Sequence, residues 1–64
     1  MKKYSLKAIR VNAGLTMKEA SERIGISVVT LRNYEKYKTV PNIKIIQKML
    51  EIYKVTIDEI NFIS

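Results

Sequence analysis

Two short amphipathic helices joined at a glycine are predicted between Thr16 and Glu35, and this stretch constrains the fold more than any other. Thr16 is followed three residues later by Glu19, the pattern of a capping box, in which each side chain satisfies a backbone donor at the start of a helix. A helix therefore begins near Met17. It ends at Gly25, because glycine adopts a positive φ at little steric cost.

The second helix of this pair has an inner and an outer face. Ser27 precedes it as an N-cap, and Leu31 and Tyr34 lie three residues apart on one side. Four side chains lie largely on the opposite side and are expected to face outward: Val28, Val29, Arg32 and Asn33. By the same spacing, the first helix of the pair turns a narrow face inward, made of Ala20, Ser21 and Ile24. Small residues in that face allow a close approach between helices.

Three further helices fit the rest of the chain, and no strand is needed because the β-branched residues are spaced for helices. The earliest helix runs from about Ser5 to Ala13 and ends at Gly14. Its inward residues are expected to be Leu6, Ile9 and Ala13. We therefore predict a compact all-α fold of five helices, with a helix-turn-helix formed by the second and third.

The last two helices are predicted from their caps and their apolar spacing. Asn42, which follows Pro41, caps the fourth helix. Its buried stripe is expected to consist of Ile43, Ile46, Met49, Leu50 and Tyr53. Thr56 and Glu59 form a second capping box that opens a short fifth helix. That helix contains Ile57 and Ile60.

The chain lacks both cysteine and histidine, which excludes disulfide bonds, the usual structural zinc sites and thiol chemistry. We therefore expect no metal and no cofactor. No apolar run approaches the ~20 residues of a membrane span, and no signal-peptide pattern follows the N-terminal Met-Lys-Lys. With 64 residues there is room for one domain, spanning residues 1–64. A soluble, cytoplasmic, nucleoid-associated protein is expected.

Catalysis is not indicated by the polar residues. The chain has no phosphate-cradling glycine loop, and its neighbouring carboxylates are surface-like pairs, Glu19 with Glu22 and Asp58 with Glu59. We therefore expect a binding protein and not an enzyme.

Positive charge is concentrated in the first three quarters of the chain. Residues 1–48 contain eleven Lys or Arg and three Glu, a net charge of +8, whereas residues 49–64 contain one Lys and three acidic residues, a net charge of −2. A lysine-rich helix is often only a solvated face, but this concentration favours a polyanionic partner. Because neutralising phosphates releases counterions, binding to double-stranded DNA is expected to depend strongly on salt.

Several short motifs stand in register along most of the chain. They are Leu6, Ile9 and Arg10; Gly14-Leu15-Thr16; Gly25-Ile26-Ser27; Thr30-Leu31; Glu35; Pro41-Asn42-Ile43; and Val55-Thr56-Ile57-Asp58-Glu59. In this arrangement the chain resembles the lambda-repressor and Cro-like family of phage and bacterial transcriptional regulators, from Leu6 to Ile60. The resemblance implies that the third helix reads DNA. It also implies a structural ion pair between Arg10 and Glu35.

Four outward residues of the third helix are the expected base readers. Arg32 suits a bidentate contact to guanine and Asn33 one to adenine, each worth about 1 to 3 kcal/mol of discrimination. For either residue the alternative is a phosphate contact, which positions the protein without specifying a sequence. Val28 and Val29 stand where the family often places polar readers. At least one of them is expected to contact a thymine methyl group, and the alternative is that one of them packs on a neighbouring helix.

The resemblance also implies contacts to the DNA backbone. We assign them to Met17, Lys18, Thr30, Lys36, Tyr37 and Lys38. Met17 replaces a glutamine common in the family, so only its backbone amide at the helix start carries over. Thr30 suits either a phosphate or a local backbone bond. Tyr37 stands where glycine with positive φ is frequent, so either the turn differs or Tyr37 lies along a phosphate. Lys54 likewise replaces a frequent glycine or asparagine.

The sequence is therefore interpreted as a Cro- or repressor-type regulator that occupies an operator, with two subunits on an inverted repeat. The apolar ending Ile60-Asn61-Phe62-Ile63 either forms a homodimer contact or folds back onto its own core. The rival interpretation is a protein-interaction module on the same fold, such as an antitoxin or antirepressor. Met17, Val28 and Val29 support it, because an apolar patch can face a partner protein as easily as DNA.

Overall fold

The computed structural model describes residues 3–62, which form four α-helices, one 3-10 helix and one pair of very short strands. In chain order the elements are β1 (Tyr4–Ser5), α1 (Leu6–Asn12), α2 (Met17–Ile24), α3 (Val28–Glu35), α4 (Ile43–Tyr53), the 3-10 helix (Ile57–Glu59) and β2 (Ile60–Asn61). The fold is mainly helical, as predicted. The strands and the last helix depart from the prediction.

Each α-helix begins at a residue whose side chain caps its first turn. The four N-caps are Ser5, Thr16, Ser27 and Asn42. At the start of α2 the capping box is complete: Glu19 N–H donates to Thr16 Oγ1 at 3.1 Å, and Thr16 N–H donates to Glu19 Oε1 at 2.9 Å. The bond from the Thr16 amide lowers the pKa of the Glu19 carboxyl. The helix starts predicted from Thr16, Ser27 and Asn42 are confirmed.

Each α-helix is followed by a residue with positive φ. These residues are Gly14 (77°), Gly25 (86°), Tyr37 (60°) and Lys54 (58°). The helix ends predicted at Gly14 and Gly25 are therefore confirmed. The other two helices end in the same way without glycine.

The core lies where α1, α2, α3 and α4 meet. Its buried apolar residues are Leu6, Ile9, Leu15, Ala20, Ile24, Leu31, Met49, Tyr53 and Ile60. The predicted inward face of α2 is confirmed, because Ala20, Ser21 and Ile24 are all buried. The prediction for α1 is correct for Leu6 and Ile9 but wrong for Ala13, which lies exposed at the end of the helix.

The buried face of α4 agrees with the predicted stripe only in part. Ile43 is 64% exposed, so the prediction of its burial is wrong. Ile43 lies six residues before Met49, which places it about 120° away around the helix axis. Burial is confirmed for Met49 and Tyr53, and Leu50 packs against the core as predicted, together with Ile45 and Ile52, which were not predicted to do so. Apolar residues are so frequent in α4 that spacing alone allowed more than one face.

The C-terminal segment forms a strand where a fifth α-helix was predicted. One 3-10 turn ends at Glu59, and β2 then pairs in parallel with β1, Tyr4 with Ile60 and Ser5 with Asn61. Thr56 N–H still donates to Glu59 Oε1, at 3.4 Å. The predicted fifth helix is therefore present only as a single 3-10 turn that begins after Thr56, and Ile60 lies in a strand. The prediction of no strand is wrong, because this pairing joins segments far apart in sequence.

The apolar ending folds back onto its own core. Ile60 is buried, although Ile57, the other apolar residue of the predicted helix, is exposed. Phe62 packs against the core, and Ile63 lies outside the described residues. For Ile60 and Phe62 the structure therefore has the second of the two predicted arrangements, folding back onto the core.

Candidate nucleic-acid interface

The turn between α2 and α3 is built by three residues. Gly25 and Ile26 both donate their backbone N–H groups to the Ser21 carbonyl oxygen, at 2.9 and 3.0 Å. Ser27 follows and caps α3, with its Oγ accepting from Thr30 N–H at 3.1 Å. These bonds leave the turn little freedom. They therefore set the direction of α3 relative to α2.

The two faces of α3 differ sharply in burial. Leu31 is fully buried, and Tyr34 packs against the core. On the outer face Val29 is 59% exposed and Arg32 is also exposed. The other two outward residues, Val28 and Asn33, are half-buried. Val29 and Arg32 are thus the side chains that α3 presents most fully to solvent.

An ion pair fixes the end of α3 against α1. Arg10 Nε donates to Glu35 Oε2 at 2.7 Å, and Arg10 Nη2 donates to Glu35 Oε1 at 3.3 Å. The two side chains are only 9% and 5% exposed. The hydrogen bond to the Glu35 carboxylate raises the pKa of Arg10. Arg10 Nη1 also donates to the Leu15 carbonyl oxygen, at 2.9 Å, so one guanidinium joins α1, the loop after it and α3.

A groove of about 370 Å³ lies beside this ion pair. Three exposed cations line it, Lys7, Arg32 and Lys36, and Met17 lines it as well. Lys7 was not among the site residues predicted from the sequence. The sequence feature that could have identified Lys7 is its spacing from Arg10, because residues three apart lie on one side of α1. The groove thus adds a cation from α1 to those at the end of α3.

The remaining residues assigned to DNA phosphates differ in what they offer. Lys18 and Lys38 are exposed cations. Met17 is half-buried and packs against the core, so only its backbone amide at the start of α2 is of use to an anion. Thr30 Oγ1 accepts a hydrogen bond from Ser27 Oγ at 2.9 Å. The local bond of Thr30 is therefore made to a side chain and not to the backbone.

Tyr37 adopts the conformation that favours glycine, so the turn after α3 does not differ from the glycine-containing form. The Tyr37 hydroxyl donates to the Asn61 carbonyl oxygen at 3.0 Å. The one O–H group of this side chain is therefore used within the chain. The neighbouring Lys36 and Lys38 are exposed cations.

Comparison with known proteins gives one clear result. A family model described as Helix-turn-helix matches residues 6–60. The chain belongs to the lambda-repressor-like helix-turn-helix family. This is a family of DNA-binding regulatory domains. No match was found among the curated proteins or among the solved structures.

In this helix-turn-helix chain, α2 and α3 are the first and second helices of the motif. No helix within residues 3–62 is long and apolar enough to cross a membrane. The same part of the chain has no group of three or more Asp, Glu, His or Cys that could hold a metal ion.

Proposed function

We propose that this helix-turn-helix protein is a sequence-specific transcriptional regulator of the Cro or repressor type, which occupies an operator through α3 in the major groove. The observation that carries the proposal is the outer face of α3, whose most exposed side chains are Val29 and Arg32. The turn from Gly25 to Ser27 holds this face relative to α2. A rigidly held helix can present such side chains to base edges.

Each outward residue has a role that suits its chemistry. Arg32 donates two parallel hydrogen bonds to a guanine, and Asn33 pairs with an adenine. Val28 and Val29 have no donors or acceptors, so they contact the methyl group of thymine. The operator half-site is therefore expected to contain at least one guanine next to an A·T-containing segment.

Contacts to phosphates set the register of α3 on the duplex. Exposed positive charge is supplied by Lys18 in the first turn of α2 and by Lys36 and Lys38 after α3, and Lys7 adds one more from α1. Thr30 keeps its own hydroxyl hydrogen for a phosphate oxygen, since its oxygen accepts from Ser27. The Met17 backbone amide, at the start of α2, donates to a phosphate oxygen. These contacts hold the protein in place and make binding dependent on salt.

Two subunits on an inverted repeat would place their α3 helices about one helical turn of DNA, ~34 Å, apart. Such a complex blocks or redirects polymerase by occupying the operator. A cytoplasmic protein associated with the nucleoid fits this role.

Binding to DNA from upstream of its own gene tests the proposal. Fluorescence anisotropy compares that fragment with a scrambled duplex of the same composition across a range of salt concentrations. The variants are Arg32→Ala and Arg32→Lys. The lysine keeps the positive charge but loses the planar fork that reads guanine. We expect both variants to lose selectivity between the duplexes, whereas only Arg32→Ala reduces the salt dependence.

The outcomes separate the parts of the proposal. Tight binding to the native fragment, with selectivity lost in both Arg32 variants, supports base reading by α3. Equal binding of the wild-type protein to both duplexes contradicts sequence-specific recognition and leaves electrostatic attraction alone.

A protein-interaction module is the second candidate, because Val29 is 59% exposed where a polar reader is usual in the family. An apolar side chain on this face can pack on a partner protein in the place of DNA. Absence of DNA binding by the pure protein, together with co-purification of a stoichiometric partner, would favour this candidate over operator binding.

A further inference from the structure

The turn after α3 has the hydrogen bonds of a glycine-terminated helix end, with a tyrosine at the glycine position. Lys38 N–H donates to the Asn33 carbonyl oxygen at 2.9 Å, and Tyr37 N–H donates to the Tyr34 carbonyl oxygen at 3.1 Å. This pair of bonds defines a Schellman motif, whose left-handed residue is usually glycine. Here Tyr37 occupies it, with φ 60°.

A left-handed conformation costs an L-residue free energy that glycine does not lose, because Cβ crowds the following carbonyl oxygen. Such a conformation persists where the surrounding structure over-determines it. At α1 and α2 the chain avoids the cost with Gly14 and Gly25. After α3 and α4 the cost falls on Tyr37 and Lys54, and for Tyr37 a side-chain contact offsets it.

The compensating contact is long-range. Tyr37 Oη donates to the Asn61 carbonyl oxygen at 3.0 Å, across 24 positions of sequence. Asn61 follows the buried Ile60 in β2, which pairs with β1. The hydroxyl thus fastens the turn after α3 to a segment that is itself held on the core. The half-buried ring of Tyr37 spans the distance between them.

Tyr37 lies between two cations of the proposed DNA interface. Lys36 and Lys38 are both exposed, and Lys36 also lines the groove beside Arg32. Because the three residues are consecutive, the backbone angle of Tyr37 sets the direction in which Lys38 leaves the turn relative to Lys36. A turn free to change φ at Tyr37 would scatter these two charges.

We propose that Tyr37 is a positioning residue for DNA binding: its hydroxyl bond to Asn61 holds Lys36 and Lys38 where they contact phosphates, and makes β2 a support of the DNA-binding surface. This inference rests on the proposed DNA-binding function and adds to it a part for the C-terminal strand. The phosphates are those of duplex DNA, which the turn contacts without regard to sequence.

The test uses Tyr37→Phe, which removes the hydroxyl and keeps the ring. Tyr34→Phe is the matched control, because the Tyr34 hydroxyl has no hydrogen bond to any other residue between positions 3 and 62. Affinity for a mixed-sequence duplex about two helical turns long is measured by anisotropy across salt concentrations. Thermal unfolding of every variant is recorded, and binding is measured well below the lowest midpoint.

We expect Tyr37→Phe to bind several-fold more weakly, with the slope of log affinity against log salt reduced by about one unit, as for the loss of one phosphate contact. Tyr34→Phe should bind like the wild type. In a Lys38→Ala background the effect of Tyr37→Phe should shrink, because the contact that it positions is already absent. A merely structural role would not produce this dependence on Lys38.

Tyr37→Gly tests whether weaker binding by Tyr37→Phe reflects only a loss of stability. Glycine removes the backbone strain together with the anchor, so this variant should fold at least as well as Tyr37→Phe and still bind DNA weakly. Wild-type affinity and salt slope in both Tyr37 variants would overturn the inference while leaving the proposed function intact. Absence of DNA binding by the wild-type protein would overturn the proposed function and this inference with it.

Discussion

Arg10 and Glu35 form a two-bonded ion pair, with Nε 2.7 Å from Oε2 and Nη2 3.3 Å from Oε1. The pair joins α1 to the last residue of α3, and neither side chain is more than 9% exposed. It therefore fixes α3, the helix of the proposed DNA-binding surface, against α1, although neither residue is exposed enough to read bases. Its removal should affect stability before it affects recognition.

Glu35→Gln is expected to destabilise the fold by about 3 to 5 kcal/mol, because it leaves the Arg10 charge buried without its counter-ion. For a chain of this size such a loss is a large share of the total stability. Urea unfolding followed by circular dichroism measures the change.

The double variant Arg10→Met with Glu35→Leu is the matched control for that prediction. It removes both charges and keeps apolar volume, so it should recover most of the lost stability. The stability should not recover fully, because the Leu15 carbonyl oxygen also loses its donor, Arg10 Nη1. A Glu35→Gln variant as stable as the wild type would show that water compensates the Arg10 charge.

Tyr53→Phe is expected to leave the fold as stable as the wild type, or about 1 kcal/mol more stable. The Tyr53 hydroxyl is buried and has no hydrogen-bond partner among residues 3–62, so its removal relieves a desolvation cost and keeps the ring in the core. Equilibrium unfolding in urea at neutral pH measures the difference. A loss of more than about 1 kcal/mol would mean that the hydroxyl is satisfied.

The burial of Tyr53 also leads to a prediction about how stability changes at alkaline pH. Burial, with a smaller effect from the Glu35 carboxylate, raises the pKa of Tyr53 to about 12 from 10.0. The folded state therefore keeps the proton where the unfolded state loses it, so stability should fall as pH rises between about 10 and 12. The difference in unfolding free energy between the wild type and Tyr53→Phe should be constant below pH ~9 and change above it. A constant difference up to pH ~12 would contradict the shift.

Lys54→Gly is expected to stabilise the fold by about 0.5 to 1 kcal/mol. Lys54 has φ 58°, which costs an L-residue about 1 to 2 kcal/mol, and the extra entropy that glycine loses on folding offsets only part of the gain. Lys54→Ala is the control, since alanine removes the side chain but keeps the strained Cβ. An equal gain from alanine would assign the effect to the lysine side chain and not to its backbone.

Local signals explain what could be predicted from the sequence. The caps at Thr16, Ser27 and Asn42 act within three residues, so the starts of α2, α3 and α4 were readable. The position of β2 was not, because its partner β1 lies at the other end of the chain. A capping-box pattern at Thr56 therefore predicted an α-helix where tertiary pairing leaves only one 3-10 turn.

The candidate site also contains residues that could be predicted from the sequence and residues that could not. Outward positions on α3 followed from the helical period once Leu31 was placed inward. The anchor of Tyr37 did not follow, because a bond from a side chain to the Asn61 carbonyl has no sequence signal beyond the absence of glycine at position 37. Lys7 was missed because only the packing of α1 beside α3 brings it to the groove that Arg32 and Lys36 line.

Val29 gives the sharpest test of how α3 reads DNA. If Val29 packs on the C5-methyl group of a thymine in the operator, replacing that thymine by deoxyuridine should weaken wild-type binding about four-fold. Burial of one methyl-sized group contributes about 0.8 kcal/mol, which corresponds to this factor. Val29→Ala should bind the thymine operator more weakly and lose this sensitivity. Anisotropy with the two duplexes and the two proteins completes a double-mutant cycle.

Val11→Ala is the matched control for Val29→Ala, because Val11 is a valine of similar exposure, 57% against 59%, on α1 and outside the proposed base-reading face. It should keep both the affinity and the sensitivity to deoxyuridine. Equal sensitivity in the wild type and in Val29→Ala would show that another side chain contacts the methyl group. Because Val28 is the other apolar residue at the start of α3, Val28→Ala would then be the next variant to measure.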